Sequence, residues 1–583
     1  MLIFNRLKMK KIFIAMISLP LLVSCGKDFL ERIPTTDVSY EGYFTSEEQL
    51  KLYANGFNTY IPGASVMTAD LNSDNIEVGT YNALLAGVRT VPASGGGWSW
   101  TWLRTFNLLL DNYKKADCDE ATQNYYAALA RFYRAWFYYE KVKAFGDVPW
   151  YDKPLQTNSE ELYKARDGRD YVDERILEDL DFAIQWLKDN KDQTGITRWT
   201  ALALKSRFCL YEGTYYKYHK ELGMESLSPK YLEECVKASE ELMDKGGYKV
   251  YYTGAETDYR DIFTSEKPNS EVILAKIYNK GLSLVHSANY TFLTASASCK
   301  EGFNKQFMDS YLMRDGSFFS SQPGYETMTW YEECQNRDLR LYQTVRTPGY
   351  TRIGGTTKLL PDFDKAATGY HMIKWVTGTS DDAYNGSVNA ASVFRYSEVL
   401  LNYAEARAEL GVLTQDDIDK TVNLTRQRGG LPKMVLSSLT IDPTQQKLYP
   451  GVNSAAILEI RRERRVELVM EGLRWDDLMR WKRGPLLAQR FRGMYFRSLG
   501  VQDLDGDGVD DFAILTSAPA KKESGITYLI LDSSRMLSNG SSGYIIAQPT
   551  TLKSFDEERD YLYPIPTNEL VNNKQLEQNP NWE

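Results

Sequence analysis

Apolar residues recur at three- and four-residue spacing through much of the chain, which is the helical period. The strongest case is TQNYYAALARFYRAWFYYEKVKAF, residues 122–145. There Leu129, Phe132, Trp136 and Tyr139 form one stripe, and Ala127, Ala128, Ala130 and Ala135 let another helix approach closely. Gly146 and Pro149 stop the run. Thr45-Ser46-Glu47-Glu48 caps a helix to about Tyr60, with Leu50, Tyr53, Ala54 and Phe57 on one face. Trp98-Ser99-Trp100-Thr101-Trp102 enters a helix through Asn112, and further helices are expected at 170–189, 198–220 and 229–245. These helix pairs alternate small and aromatic residues. That suggests stacked helical hairpins of the tetratricopeptide kind, although no repeat matches the consensus cleanly.

From about 248 to 390 the helical period fades and Gly, Ser, Thr and Tyr rise. Ser270 to Ala275 reads as a short strand. This stretch is expected to be an irregular, loop-rich insertion, the kind of surface where binding tends to sit. The helical pattern returns at 393–411, 415–428 and Ala455–Gly484. In the last of these, Glu459, Glu463, Glu467 and Glu471 recur every four residues, a column of like charges that weakens an isolated helix. Arg461, Arg462, Arg464 and Arg465 lie beside it, with Glu459–Arg462 and Arg464–Glu467 three apart. Val466, Met470 and Leu473 make an apolar stripe, Gly472 should end or bend the helix, and Trp475, Leu478 and Met479 start a new turn. Such interleaving predicts a partly buried ionic network tying two helices together, not a solvated face. Residues 485–560 read as loop and hairpin, and Pro564, Pro566 and Pro580 forbid a long C-terminal helix.

Composition narrows the function. The 583 residues are 43% hydrophobic and 13% aromatic, with 40 Tyr and 12 Trp, a supply of stacking surface with polar tips. The formal net charge of −9 argues against nucleic acid as a partner. Cysteines at 25, 118, 209, 235, 299 and 334 form no CxxC pair and no disulfide framework. Three histidines leave little for His-based catalysis, and G-x-S-x-G, H-E-x-x-H and P-loop motifs are absent. Met9 to Val23 is a short basic then apolar run, which reads as a secretory signal. It ends in Leu22-Val23-Ser24-Cys25, which resembles a bacterial lipobox with Cys25 as the lipidated first mature residue. Several acyl chains on one cysteine anchor a protein firmly to a membrane. The chain thus divides into a leader (1–24), a lipidated tether (25–44), a helical region (45–247), the insertion (248–390) and a C-terminal region (391–583).

One acidic loop stands apart. Asp503, Asp505, Asp507 and Asp511 occupy positions one, three, five and nine of a loop with Gly508 at six. That spacing converges carboxylates on a hard cation, so a structural calcium is expected. Ile514 at position twelve rules out an EF-hand.

Taken together, certain stretches resemble the SusD/RagB family of nutrient-binding outer-membrane lipoproteins of Bacteroidetes. They are the lipobox, Leu103-Arg104 with Asn107, ALARFYRAWFYYEKVKAFGDVPW, SYLMRDG with NRDLRL, FRYSEVLLNYAEARAELG, RRERRVELVMEGLRWDDLMRWKRG, and YPIP with QNPNW. The resemblance implies a mainly α, tetratricopeptide-like superhelix with an irregular half packed on it. It implies a lipid-anchored protein facing the cell exterior that lies on a TonB-dependent, SusC-like transporter. Such a protein captures an oligosaccharide, less often a peptide, without catalysis. It also places glycan-stacking aromatics just before the Leu-Arg-x-x-Asn helix, where Trp98 and Trp100 fall; Trp102 is expected in the core. Tyr290, Tyr325 and Trp330 are the insertion's candidates to complete the platform. A glycoside hydrolase on the same scaffold would need two carboxylates across a cleft, and no spacing sets two opposite each other.

Overall fold

The computed structural model describes residues 42–294 and 300–582. The expected leader and Cys25 lie outside the described residues.

The first half is built from helices α1 (Glu47–Asn55), α2 (Thr101–Asn112), α3 (Glu120–Phe145), α4 (Arg169–Trp186), α5 (Arg198–Tyr218) and α6 (Ser228–Lys245). Helix α3 is the centre of this body. Asp119 caps its start by accepting the Thr122 N–H at 2.8 Å, and Gly146, at φ 70°, ends it. Every residue from Phe132 to Tyr139 is buried. The alanines admit α2 on one side and α4 on the other. Within this apolar surround Arg134 forms a two-pronged pair with Asp179 of α4 (2.7 and 2.8 Å) and donates to Asn107 of α2 (3.0 Å). Three helices are thereby locked in register by one buried cation whose donors are used. Helices α5 and α6 form the next hairpin, and α7 (Tyr396–Glu409) packs on both.

The insertion does not form a core of its own. Its Phe303, Trp330, Tyr370 and Trp375 share one hydrophobic cluster with Leu478, Trp481, Phe512 and Ile545 from late in the chain and with Met67 and Ile76 from early in it. Strands β1 (Val272–Lys276) and β2 (Ala391–Arg395) pair antiparallel, Lys276 opposite Ala391, and β2 runs directly into α7. Residues 485–560 hold more order than loop and hairpin. One three-stranded sheet joins β3 (Tyr495–Phe496), β8 (Gly543–Ala547) and β7 (Arg535–Leu537). The other joins β4 (Gly500–Gln502), β5 (Phe512–Leu515) and β6 (Thr527–Ile530), with β5 and β6 parallel.

Helix α8 (Ala455–Glu467) and helix α9 (Arg474–Arg480) join the two halves. The charged face of α8 is buried throughout, more completely than its sequence suggested: Glu459, Glu463, Glu467 and all four arginines are at most 4% exposed. The glutamate column is stable because Glu463, Glu467 and Glu471 meet cations from elsewhere in the chain, and Glu459 meets Arg462 of its own helix. Glu467 accepts from Arg340 (3.0 Å), Arg395 (3.1 Å) and Arg428, while Glu471 takes Arg395 and Lys374, each at 2.7 Å. Glu459–Arg462 forms at 3.0 Å, as its spacing predicts. Arg464–Glu467 does not, because Arg464 turns to Asp477 of α9 at 2.8 Å. The helix ends at Glu467 rather than Gly472, since Asp70 captures the N–H of Met470 (2.6 Å) and turns the chain there. Gly472 is still required: a Cβ there would sit 3.0 Å from that of Ala69, at φ 78°.

This network makes the fold acid-sensitive. Burial alone would raise the Glu467 and Glu405 carboxyls; Arg428, Arg395 and Arg340 around the first, and Arg480 beside the second, outweigh it and hold each at about 2. In the unfolded chain both protonate near the ordinary glutamate value of about 4.3. Below that value the unfolded state binds more protons, so their stabilisation is lost as pH falls toward 2. Urea midpoints measured from pH 6 to pH 3 should therefore drop steeply below about pH 4.5. A flat profile contradicts the network's ionisation.

Candidate functional site

The cleft with the clearest chemistry opens at the start of α2. The loop leading into it turns at Gly95, Gly96 and Gly97, at φ 76°, 57° and 87°. A Cβ on Gly96 would lie 2.8 Å from the Pro92 ring, so this close turn needs glycine. The buried Lys141 of α3 donates to the Gly97 carbonyl and pins the loop down. Burial pulls the Lys141 ammonium down to about 8, although Glu140 favours its charged form.

Directly after this turn Trp98 stands edge-on to Phe145 (4.8 Å) and to Trp100 (5.3 Å). It is 7% exposed and gives the cleft a rim, not a stacking face. Trp100 is half-buried, held by Phe137 (5.7 Å) and Tyr151 (5.8 Å), with Lys141 5.5 Å from its ring centre. Trp102 continues the alternation in sequence but not in space. The helix has begun at Thr101, and Trp102 stacks on Phe106 (5.7 Å) against the core, as expected.

The second wall is the irregular segment 149–156, which bends at Lys153. Asn107 donates to the Tyr151 and Lys153 carbonyls (2.8 and 3.2 Å), and Arg104 Nε donates to the Leu155 carbonyl (3.3 Å). The Leu-Arg-x-x-Asn pattern therefore has a physical role: it ties this segment to α2. Tyr163, 49% exposed, and Leu162 form the outer lip. The third wall is α10 (Thr567–Asn572) with Glu569, Asn572 and Asn573. Asn573 donates to the Lys164 carbonyl (2.8 Å), and Asn579 anchors the tail to the carbonyls of Phe145 (3.1 Å) and Tyr563 (2.7 Å). The cleft enclosed is about 480 Å³, and Glu569 is its one lining carboxylate among the described residues.

The expected aromatic platform is only partly assembled. Trp98 and Trp100 meet; Tyr290, Tyr325 and Trp330 do not line this cleft. Trp330 is corrected outright: at 1% exposure it is a core residue of the second cluster, with no face for a ligand. Tyr290 pairs edge-on with the exposed Tyr384 (5.4 Å), and Tyr325 with Phe319 (5.9 Å). Tyr151 and Tyr163 take the places assigned to them. The signal for Tyr151 was the Pro149-Trp150-Tyr151 run, in which an extended chain sends alternate residues to opposite faces, whereas Tyr163 ends a short helical turn, Glu160–Tyr163, that carries no such signal.

The acidic loop joins β4 to β5. Asp503, Asp505 and Asp511 each bring a carboxylate oxygen within 4.8 Å of the others. Asp507 does not belong to this group; it accepts the Val509 N–H at 2.9 Å. Burial, then the neighbouring carboxylates, push the Asp511 carboxyl up. Three crowded hard oxygens suit a cation such as calcium.

A model of the SusD family matches residues 270–582. A second family model, described as starch-binding associating with outer membrane, matches residues 100–210, which include the cleft's helix. A SusD-like protein of Formosa agariphila is 24% identical over 507 residues, covering 82% of this chain and 92% of that one. Among solved structures, a SusD-like carbohydrate binding protein from Bacteroides fragilis superposes with TM-score 0.68 at 20% identity, covering 92% of this chain and 99% of that one. A second SusD-like protein from the same species gives 0.66 at 21% identity, over 94% of this chain and 99% of that one. These structures share the mainly α superhelical fold.

Proposed function

This chain belongs to the SusD family, and we propose that it is a non-catalytic outer-membrane lipoprotein that captures a glycan in the cleft beside Trp100. It presents the glycan to a SusC-like, TonB-dependent transporter. The observation that carries the reading is the aromatic wall of Trp100, Tyr151 and Tyr163 facing hydrogen-bonding side chains in one open cleft. Sugar rings offer apolar C–H faces to such rings and hydroxyls to such polar groups. Beside Trp100, Glu569 has no second lining carboxylate opposite it among the described residues, which suits binding better than hydrolysis, since that needs a pair across the bond. The description of the second family model supports the outer membrane as the location, and lipid on Cys25 supplies the attachment.

Affinity electrophoresis through a polysaccharide panel tests this: retardation by at least one polysaccharide, with no release of reducing sugar, is expected. Retardation by none, with peptides bound instead, assigns the cleft to peptide capture; sugar release makes the protein a hydrolase.

We also propose that Asp503, Asp505 and Asp511 hold a structural calcium between β4 and β5. Metal analysis of chelator-treated, calcium-reloaded protein should return one ion per chain and a higher melting temperature than the stripped form. No stoichiometric calcium leaves the loop an ordinary Asp-Gly turn.

A further inference from the structure

We propose that the cleft is one end of a longer groove that takes the interior of an extended, uncharged saccharide chain; this rests on the glycan reading of the cleft. A second cavity of about 800 Å³ continues from the first along α2, and Lys153 and Leu155 line both. The helix side of the combined groove is Thr101, Arg104, Leu108, Asp111 and Lys115. Thr101, Arg104, Leu108 and Asp111 are three or four residues apart on α2, so they form one stripe about 15 Å long, and Lys115 lies in the turn just past the helix end. The facing wall is Pro149, Tyr151, Lys153 and Leu155, joined by Pro154 and Gln156 in the second cavity, from a segment that bends at Lys153. The two walls run side by side because Asn107 and Arg104 bind the segment's carbonyls. A site built for one sugar has no use for walls of this length.

The groove's charges set the chemical class. Arg104, Lys115 and Lys153 are matched by Asp111, Glu161 and Glu569. None of these forms an ion pair among the described residues, in a protein whose charged groups are otherwise extensively paired. Cations donate to hydroxyls and carboxylates accept from them, so a balanced set held by neutral partners only, as Lys115 is by Asn112 (2.6 Å) and Arg104 by the Leu155 carbonyl (3.3 Å), suits a neutral polyhydroxylated chain. A polyanion would meet the three carboxylates.

Titration calorimetry tests the proposal with starch, xylan, laminarin and galactomannan, followed by the trisaccharide and hexasaccharide of whichever binds. The Lys115→Ala/Gln156→Ala variant, changed only in the second cavity and at the surface, should bind the hexasaccharide about tenfold more weakly and the trisaccharide equally well. Affinity should change less than about twofold between about 0.05 and 0.5 M salt. If the double variant binds the hexasaccharide as wild type does while Trp100→Ala does not bind, the groove is overturned and the cleft stands. If Trp100→Ala binds normally, or peptides bind and no polysaccharide does, both fall. An affinity that collapses with salt overturns the uncharged class.

Discussion

Trp100→Ala is expected to weaken glycan binding by at least tenfold. A well-packed aromatic anchor at the centre of a site is worth about 2 kcal/mol or more, and each 1.4 kcal/mol or so is tenfold in affinity. Trp100 fits that role because its position is fixed before any ligand arrives. Phe137 and Tyr151 hold the ring at 5.7 and 5.8 Å, and Lys141 lies 5.5 Å from its centre, so little is lost in ordering it. Trp100→Phe keeps a ring in the cleft and should retain most of the affinity. Tyr290→Ala, away from the cleft, should leave it unchanged. Calorimetry on the three variants reads this directly; loss of binding in Tyr290→Ala with none in Trp100→Ala would move the site to the other half of the molecule.

The largest expected effect on stability is that of Glu467→Ala. Removing one partner from a buried ionic cluster costs about 3–5 kcal/mol, because the remaining charges stay desolvated and uncompensated. Glu467 is the extreme case here: it is fully buried and meets Arg340, Arg395 and Arg428 at once. Those arginines come from three separated parts of the chain, so the loss should loosen the junction between the halves. The check is the urea midpoint with its slope, or soluble yield if the variant does not accumulate. An unfolding free energy, midpoint times slope, within about 0.5 kcal/mol of wild type would mean that α8 is not the hub described.

Much of the helical half was legible because its signals are local. The period of Phe132, Trp136 and Tyr139, the Asp119 cap and the Gly146 stop lie within one element, and α3 runs within two residues of its expected start. The α8 network was legible in kind but not in pairing. Spacing predicts the 3.0 Å Glu459–Arg462 contact, but it cannot see that Arg464 will find Asp477 or that Glu467 will find Arg428. Those partners are fixed by tertiary packing. The same distinction divides the site. Trp98 and Trp100 lie on the glycine turn and were within reach; Tyr151 and Tyr163 reach the cleft because Asn107, Arg104 and Asn573 tether their segment. Trp330 failed as a ligand residue for the opposite reason: a large ring in a loop-rich stretch reads as exposed, but this stretch shares a core with residues far along the chain. Asp507 meets the spacing of a metal loop, yet its carboxylate caps Val509 instead.

The measurement that tests the central claim most directly is a crystal structure of the protein soaked with the oligosaccharide that binds best in calorimetry. The cleft reading predicts a sugar ring stacked on Trp100, between α2 and the 149–156 segment, with hydrogen bonds to Arg104, Lys153 or Glu569. Sugar density against Tyr290 and Tyr384, with the Trp100 cleft empty, would contradict it.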